Sequence, residues 1–245
     1  MKSRLDKIIV EKGIVPSRER AQALIMEGKV FVNGMPSLKA GTMVDESSAI
    51  ELKGEDIPYV SRGGLKLEAA IKHFHISLKD KITMDVGAST GGFTDCMLQN
   101  GAQKVYCIDV GYGQLAWKLR QDPRIVLIER TNVRYLERKK IPDEIAVATI
   151  DVSFISLTKV VPAVLQFLKE DGDIIALIKP QFEVGKGEVG KGGIVKDEAK
   201  RMEIVEYIRE GLESFGLKTI GVIQSPIAGQ KGNIEFLIYM KKRSA

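Results

Sequence analysis

A glycine-rich segment between an apolar stretch and a helix-forming stretch is the part of this sequence best suited to hold a ligand. It occupies residues 85–94, reads D-V-G-A-S-T-G-G-F-T, and follows the apolar residues 82–84. A strand, a glycine turn and a helix in this order are typical of a nucleotide-binding crossover. Because glycine permits backbone conformations and close ligand approach that a side chain would block, the turn is expected to cradle a cofactor.

Two carboxylates indicate which cofactor the turn would take. The pattern G-x-x-x-G-G lacks the closely spaced first glycine pair that lets a pyrophosphate reach a helix N-terminus. Asp85 would repel a phosphate but suits an amino group or a sulfonium. Asp109, near the end of the apolar segment 104–110, has the spacing of a carboxylate that binds ribose hydroxyls. These features favour S-adenosylmethionine over NAD, and the alternative is an ordinary glycine turn in a doubly wound domain.

Four ionisable residues stand at or near predicted strand ends, where open α/β sheets place their active sites. They are Lys66, Asp151, Lys179 and Glu235. Asp151 and Lys179 end two successive apolar segments, so neighbouring parallel strands would bring these two side chains close together. A single charge at a strand end is often only solvated, but four converging residues favour a functional site.

The elements that position these residues alternate between strands and helices. Near-continuous apolar strands separated by helices predict a mostly parallel sheet that is covered on both faces. The short connection between the last two strands predicts an antiparallel pair at one edge. The glycine-rich residues 183–193 are expected to form a loop near the site. Strands are predicted at 82–86, 104–110, 125–129, 145–151, 173–179, 217–224 and 234–240, and helices at 64–74, 156–169 and 196–215.

The N-terminal segment has a different pattern. An apolar stripe at Leu5, Ile8 and Ile9, a helix capped by Ser17 and a strand at 29–32 closed by Asn-Gly predict two helices and a hairpin. The motifs R-L-D at 4–6, S-R-x-x-A at 17–21 and G-K-V-x-V-N-G at 28–34 resemble the RNA-binding fold named after ribosomal protein S4. A linker at residues 53–60 would then separate a domain at 1–58 from one at 59–245.

Composition and charge set the outer limits on function. A chain of 245 residues with 44% apolar residues suits one large globular domain with a small appendage. A net charge of +5 permits an anionic partner without establishing one. The sequence shows neither a bilayer-spanning apolar run nor a secretion signal, so a cytoplasmic protein is expected. Cys96 and Cys107 lack a C-x-x-C or histidine-cluster context, which predicts free thiols rather than a metal site.

Motifs along the whole chain resemble those of the TlyA, or hemolysin A, proteins, which join an S4-like module to an FtsJ-type ribose 2′-O-methyltransferase domain. The resemblance implies a Rossmann-like α/β fold, S-adenosylmethionine as cofactor, and methylation of cytidine ribose in small-subunit ribosomal RNA, large-subunit ribosomal RNA or both. The motifs are V-S-R-G-G-x-K-L at 60–67, D-V-G-A-S-T-G-G-F-T-D at 85–95, D-V-G-Y-G-Q-L at 109–115, D-V-S-F-I-S-L at 151–157, L-I-K-P-Q-F-E at 177–183 and G-N-I-E-F at 232–236.

The resemblance also implies a catalytic set of Lys66, Asp151, Lys179 and Glu235. A ribose hydroxyl must lose its proton as it attacks a methyl group. A free lysine is protonated at neutral pH, but desolvation and a second cation favour the neutral amine. Lys179 is therefore the expected base, with Asp151 and Glu235 orienting it and Lys66 as the second cation. No metal is expected.

The resemblance nominates two further groups of residues. The first would bind the cofactor, around its methionine, ribose and adenine: Asp85, Gly87, Ala88, Ser89, Gly91, Gly92, Phe93, Asp109, Val110 and Asn132. The second would contact RNA: Arg4, Arg18, Arg20, Lys29 and Arg62. For each of these basic residues the alternative is an ordinary solvated surface charge.

Three other functions remain open from the sequence. A nucleobase methyltransferase would typically carry an N-P-P-aromatic motif where this chain has Asp151-Val152-Ser153-Phe154. A membrane-lytic protein, suggested by the hemolysin name, would need a spanning or strongly amphipathic exposed segment. A purely RNA-binding role would require an inactive methyltransferase domain, against which the complete catalytic set argues.

Overall fold

The computed structural model describes residues 2–15, 17–26, 28–53, 57–184, 190, 192–229 and 232–243. The chain divides into two units, Met1–Ile57 and Pro58–Ala245. The boundary predicted from the sequence lies one residue further along, between residues 58 and 59.

The N-terminal unit packs two short helices on small antiparallel sheets. Its elements are β1 (Lys2–Arg4), α1 (Leu5–Glu11), α2 (Arg18–Met26), β2 (Val30–Val32), β3 (Met35–Pro36), β4 (Met43–Asp45) and β5 (Ile50–Leu52). Leu5, Ile8 and Ile9 of α1 are buried in the core of this unit, as the apolar stripe predicts. Asn33 and Gly34 both have positive φ, which is the conformation of the tight hairpin turn between β2 and β3. The three-residue strands β1, β4 and β5 were not predicted.

The larger unit is built on a seven-stranded sheet of order β11-β12-β10-β9-β6-β7-β8. Strands β10, β9, β6, β7 and β8 are parallel to one another, and β12 runs antiparallel between β10 and β11. The elements are α3 (Gly63–Phe74), β6 (Ile82–Val86), α4 (Gly92–Gln99), β7 (Lys104–Ile108), α5 (Trp117–Arg120), β8 (Ile125–Ile128), β9 (Ile145–Ile150), α6 (Leu157–Leu165), β10 (Leu168–Ile178), α7 (Pro180–Glu183), α8 (Glu198–Glu213), β11 (Leu217–Gln224) and β12 (Phe236–Lys242), with 3₁₀ turns at Val133–Tyr135 and Arg138–Lys140.

Side chains of the central strands alternate between two apolar cores. In β10, Ile174 and Ala176 face a core that includes α6 and α8, whereas Ile175 and Leu177 face a core that includes α3 and α4. This alternation follows from the two-residue period of a strand. The mostly parallel sheet covered on both faces, with its antiparallel edge, is thus confirmed. Both cysteines are free and buried.

Two predicted elements differ from the structure by four or five residues at one end, whereas the other predicted strands and helices of this unit agree to within two residues at each end. The helix expected at 156–169 ends at Leu165, because the chain turns at Gln166 and β10 begins at Leu168. The strand expected at 173–179 therefore starts five residues earlier, with an irregular register before Asp173. The loop expected at 183–193 falls partly outside the described residues, since 185–189 and 191 are not among them. Gly190, within this loop, forms an isolated antiparallel bridge with Ile194, just beyond its predicted end.

Candidate active site

The strand order brings three of the predicted catalytic residues to one edge of the sheet. Asp151 directly follows β9 and Lys179 directly follows β10, and these strands are parallel neighbours. Strand β12 pairs antiparallel with β10, with Phe236 opposite Ile178. Glu235, which precedes Phe236, therefore lies at the same edge as the carboxyl ends of the parallel strands.

Lys66 completes the group from helix α3, and the four residues form two ion pairs. Lys66 Nζ lies 2.6 Å from Glu235 Oε2, and the Glu235 side chain is only 2% exposed. Lys179 Nζ lies 2.6 Å from Asp151 Oδ1, whose side chain is 21% exposed. Each lysine thus has its own carboxylate, which is how buried charges are usually tolerated. In the structure Glu235 is the partner of Lys66, whereas the sequence interpretation placed it beside Lys179.

Ser153 is a contact that the sequence interpretation did not include. The Lys179 ammonium donates a hydrogen bond of 3.0 Å to Ser153 Oγ, in addition to its ion pair with Asp151. The D-V-S-F motif contains this serine, but no sequence signal indicates that its hydroxyl faces the lysine. Ser153 and Asp151 together hold Lys179 from the neighbouring strand end.

The glycine turn packs directly against the end of β9. Gly87 has a φ of +87°, and a Cβ atom at this position would overlap the backbone carbonyl of Asp151. Gly91 has a φ of +94°, and a Cβ there would overlap the side chain of Leu119. Gly87 therefore requires glycine for conformation and for space, whereas at Gly91 the backbone conformation is the stronger reason. The turn and the strand end that carries Asp151 are in contact as a result.

Asp109 lies beside this turn with its carboxylate fixed by two backbone amides. Ser89 N–H donates to Oδ2 and Gly111 N–H donates to Oδ1, each at 2.7 Å. Because each carboxylate oxygen can accept more than one hydrogen bond, Asp109 keeps acceptor capacity for a ligand.

A cavity of about 510 Å³ opens between the turn, Asp109 and the end of β9. This volume is in the range of small-ligand sites. The lining includes five predicted cofactor residues and one predicted catalytic residue: Gly87, Ser89, Asp109, Val110, Asn132 and Asp151. It also includes Gln114, Thr131, Ser153 and Arg134, which were not predicted as cofactor residues.

The other predicted cofactor residues lie outside the lining of this cavity. Ala88 and Phe93 are buried in the core that includes α3 and α4. At Gly91 and Gly92 a side chain would overlap Leu119 or Ser61, so these glycines allow close packing behind the turn.

Asp85 is fully buried beneath the turn, where it accepts hydrogen bonds from two hydroxyls. Thr94 Oγ1 donates to Oδ2 at 2.6 Å and Thr149 Oγ1 donates to Oδ1 at 3.1 Å. Burial raises the pKa of Asp85 to about 7, although these hydrogen bonds oppose the shift. Through these two hydrogen bonds Asp85, at the start of the glycine turn, is connected to Thr94 of α4 and to Thr149 of β9.

Two of the predicted RNA contacts converge on a buried acid in the N-terminal unit. Arg4 and Arg18 each place Nη2 3.0 Å from Asp6 Oδ2, and Gln22 donates to the same oxygen. The hydrogen bond from Arg4 is the main cause that lowers the pKa of the Asp6 carboxyl, which is fully buried. The two arginine side chains remain about half exposed. Asp6 thus fixes the positions of both arginines, a role that the R-L-D motif alone does not reveal.

The remaining predicted RNA contacts lie on different elements. Arg20 is in α2, Lys29 precedes β2, and both are partly buried. Arg62 is exposed and directly precedes α3, the helix that carries Lys66. Across the described parts of the chain, no three His, Cys, Asp or Glu side chains are grouped as metal ligands would be.

Comparisons with known proteins agree with this division of the chain. Residues 59–242 match the FtsJ-like methyltransferase family, and residues 3–50 match the S4 domain. The chain is 48% identical over 243 residues to YqxC of Bacillus subtilis, a candidate rRNA methyltransferase, covering 98% of this chain and 85% of that protein. It is 41% identical over 244 residues to TlyA of Mycobacterium tuberculosis, a 16S/23S rRNA (cytidine-2′-O)-methyltransferase, covering 99% and 91%.

The chain belongs to the TlyA family of FtsJ-like methyltransferases. A solved structure of a candidate hemolysin from Streptococcus thermophilus matches this TlyA-family protein with a TM-score of 0.79 and 44% identity, covering 100% of this chain and 90% of that one. The predicted methyltransferase fold with an S4 domain is therefore confirmed, and the protein is a methyltransferase. Within the described residues, no helix of this TlyA-family protein is both long and apolar enough to span a membrane.

Proposed function

We propose that this TlyA-family protein transfers the methyl group of S-adenosylmethionine to the 2′-hydroxyl of cytidine ribose in ribosomal RNA. The observation that carries the proposal is the position of the pair formed by Lys179 and Asp151. Asp151 lines the cavity at the glycine turn and also holds the Lys179 ammonium at 2.6 Å. A candidate base and a candidate cofactor site therefore adjoin.

The cavity suits S-adenosylmethionine in shape and chemistry. Gly87 presents bare backbone to the cavity, so a ligand can approach the turn closely. Asp109 offers carboxylate oxygens to ribose hydroxyls, and Val110 and Asn132 would border the adenine. When bound, S-adenosylmethionine supplies an electrophilic methyl group on a positively charged sulfur.

The residues of this chain would then accept the proton of the ribose hydroxyl and stabilise the negative charge that develops on its oxygen. Lys179 is ion-paired with Asp151 and donates a hydrogen bond to Ser153, so it must release a proton before its nitrogen can accept one from the ribose hydroxyl. RNA that covers the site excludes water, and desolvation favours the neutral amine. Lys66, kept in place by Glu235, supplies positive charge for the oxygen that attacks the methyl carbon.

The choice of RNA as substrate rests on the N-terminal unit and on the relatives. The S4 domain at residues 3–50 is the proposed RNA-binding module, with Arg4, Arg18, Arg20 and Lys29 as contacts and Arg62 as a contact near the active site. Cytidine ribose is the target named for the TlyA protein of Mycobacterium tuberculosis. We infer the same substrate class here, and with it a cytoplasmic enzyme that acts on ribosomal subunits.

The proposal is tested by methyl transfer from labelled S-adenosylmethionine to each purified ribosomal subunit, followed by ribose-specific mapping. The Lys179→Ala variant is expected to lose at least about 100-fold in turnover, the usual scale of general base catalysis, while cofactor binding by calorimetry stays close to that of the wild type. Lys218→Ala is the matched control. Lys218 is exposed on the edge strand β11 and lies opposite Lys241 in the strand register, at the far end of β12 from Glu235. Undiminished turnover in Lys179→Ala, or label on the base instead of the ribose, would refute the proposal.

A further inference from the structure

The two motif segments that carry Asp151 and Lys179 touch at three successive places. Lys179 contacts Asp151 at 2.6 Å and Ser153 at 3.0 Å. The rings of Phe182 and Phe154 pack with centroids 4.8 Å apart. Glu183 Oε1 accepts a hydrogen bond of 3.0 Å from the backbone N–H of Leu157. Lys179 and α7 therefore contact residues 151–157 along the whole length of that segment.

Residues 151–157 need these contacts because the backbone of this segment is strained at Phe154. Phe154 has a φ of +63°, in the left-handed region that side chains other than glycine rarely adopt. A residue held there is destabilising and persists only where its surroundings impose the conformation. Phe154 itself is 86% exposed, so its packing alone contributes little. The ends of the segment must therefore supply most of the restraint.

The two ends are anchored in different ways. At the start, Asp151 N–H donates to the carbonyl of Val86 as part of the sheet edge. At the far end, Leu157 is the first residue of α6, where backbone N–H groups have no partner within the helix. Ser156 caps the N–H of Thr158, and Glu183 takes the N–H of Leu157. A carboxylate at this position is also favoured by the helix dipole.

Burying the Glu183 carboxylate costs free energy, which indicates that its hydrogen bond with Leu157 has a role. Burial raises the pKa of Glu183, and the hydrogen bonds from Ser156 and Leu157 only partly oppose the shift. Its second oxygen, Oε2, is buried and accepts no hydrogen bond from the described residues. Nothing in the proposed proton transfer uses Glu183, so its buried carboxylate calls for a separate explanation.

We infer that Glu183 is a positioning residue for methyl transfer. By holding the N–H of Leu157, it fixes the far end of residues 151–157 and so keeps Asp151 and Ser153 against Lys179. The inference rests on the proposed role of Lys179 as base. Glu183 acts only through these residues and contacts neither cofactor nor substrate.

Three substitutions at this position separate the contact from the charge. Glu183→Gln keeps an oxygen that can accept from Leu157 and should retain turnover within about threefold. Glu183→Ala removes the acceptor, and Glu183→Asp keeps the charge on a side chain one methylene shorter. Both are expected to lower kcat by about 10-fold to 100-fold, the scale of a displaced catalytic group, with little change in the KM for S-adenosylmethionine.

Hydrogen exchange gives a readout that does not depend on activity. The amide of Leu157 should exchange at least about fivefold faster in Glu183→Ala than in the wild type or Glu183→Gln, because it loses its hydrogen-bond acceptor. Wild-type kcat in Glu183→Ala, or equal losses in the glutamine and alanine variants, would overturn the inference, as would unchanged exchange at Leu157. If the wild type failed to methylate ribosomal RNA while the exchange pattern held, the proposed function would fall instead.

Discussion

Replacing Asp85 by asparagine is expected to stabilise the methyltransferase unit at neutral and alkaline pH. Burial raises the pKa of Asp85 to about 7 from its usual value of 3.8, so folding favours the protonated form. A group of this kind contributes its full stability below its unfolded pKa, near pH 4. That contribution is lost as the pH rises through its folded pKa near 7.

The magnitude follows from the two pKa values. They differ by about three units, and each unit corresponds to 1.36 kcal/mol, which gives an upper limit of about 4 kcal/mol above pH 7. Asparagine fits the same space and keeps an oxygen to accept from Thr94 Oγ1. Its amide nitrogen can donate to Thr149 Oγ1, whose own proton then goes to the carbonyl of Met84 at 3.2 Å. We therefore expect a gain of about 2–4 kcal/mol in the free energy of unfolding.

Urea unfolding followed by far-UV circular dichroism at pH 5 and pH 8 measures this gain. The difference in unfolding free energy between Asp85→Asn and the wild type should grow by about 2–3 kcal/mol between the two pH values. Asp173→Asn is the control, because Asp173 is a buried carboxylate that pairs with Lys241 at 3.0 Å and with Lys81. That variant should be less stable than the wild type at pH 8. A pH-independent difference for Asp85→Asn would refute the reasoning.

Three further predictions concern the glycine turn, the ion pair of Lys66 with Glu235, and the N-terminal unit. Gly87→Ala should weaken cofactor binding about 10-fold or more by calorimetry, since strain and overlap add, whereas Gly113→Ala, at a φ of +73° with open space around it, should change binding little. Lys66→Met leaves Glu235 buried without its cation and should cost about 3–5 kcal/mol in urea unfolding, of which the double variant Lys66→Met/Glu235→Gln should recover more than half. Asp6→Asn should lower the melting temperature of the N-terminal unit at pH 7 and lower it by less at pH 2.5, because the stability from the lowered pKa of Asp6 is complete above about pH 4 and declines as the pH falls toward the folded pKa; equal melting of both forms at pH 7 would contradict this.

The sequence predicted the sheet and its reactive edge because both depend on local patterns. Strands β6 and β11 have the predicted bounds, 82–86 and 217–224, since apolar runs there end at charged or turn residues. The proximity of Asp151 and Lys179 followed from the rule that parallel neighbours end at one edge. Contacts between residues far apart in the sequence could not be predicted from such local patterns. The partner of Lys66 is 169 residues away in sequence, and the hydroxyl that joins Asp85 to β9 is 64 residues away, so no periodicity or motif spacing records either contact.

The pairing of the four charged residues also bears on which lysine can act as the base. The two lysine side chains are equally exposed, at 11%, but the carboxylate of Glu235 is only 2% exposed and is not part of the cavity lining. Asp151 is 21% exposed and lines the cavity, so the pair it forms with Lys179 opens onto the proposed cofactor site. A proton that leaves Lys179 has a route through Ser153, which is exposed at the same surface. Losing the proton of Lys66 would instead leave the buried Glu235 carboxylate without a cation, at a cost of several kcal/mol. The geometry therefore favours Lys179 as the group that exchanges protons and Lys66 as the fixed charge.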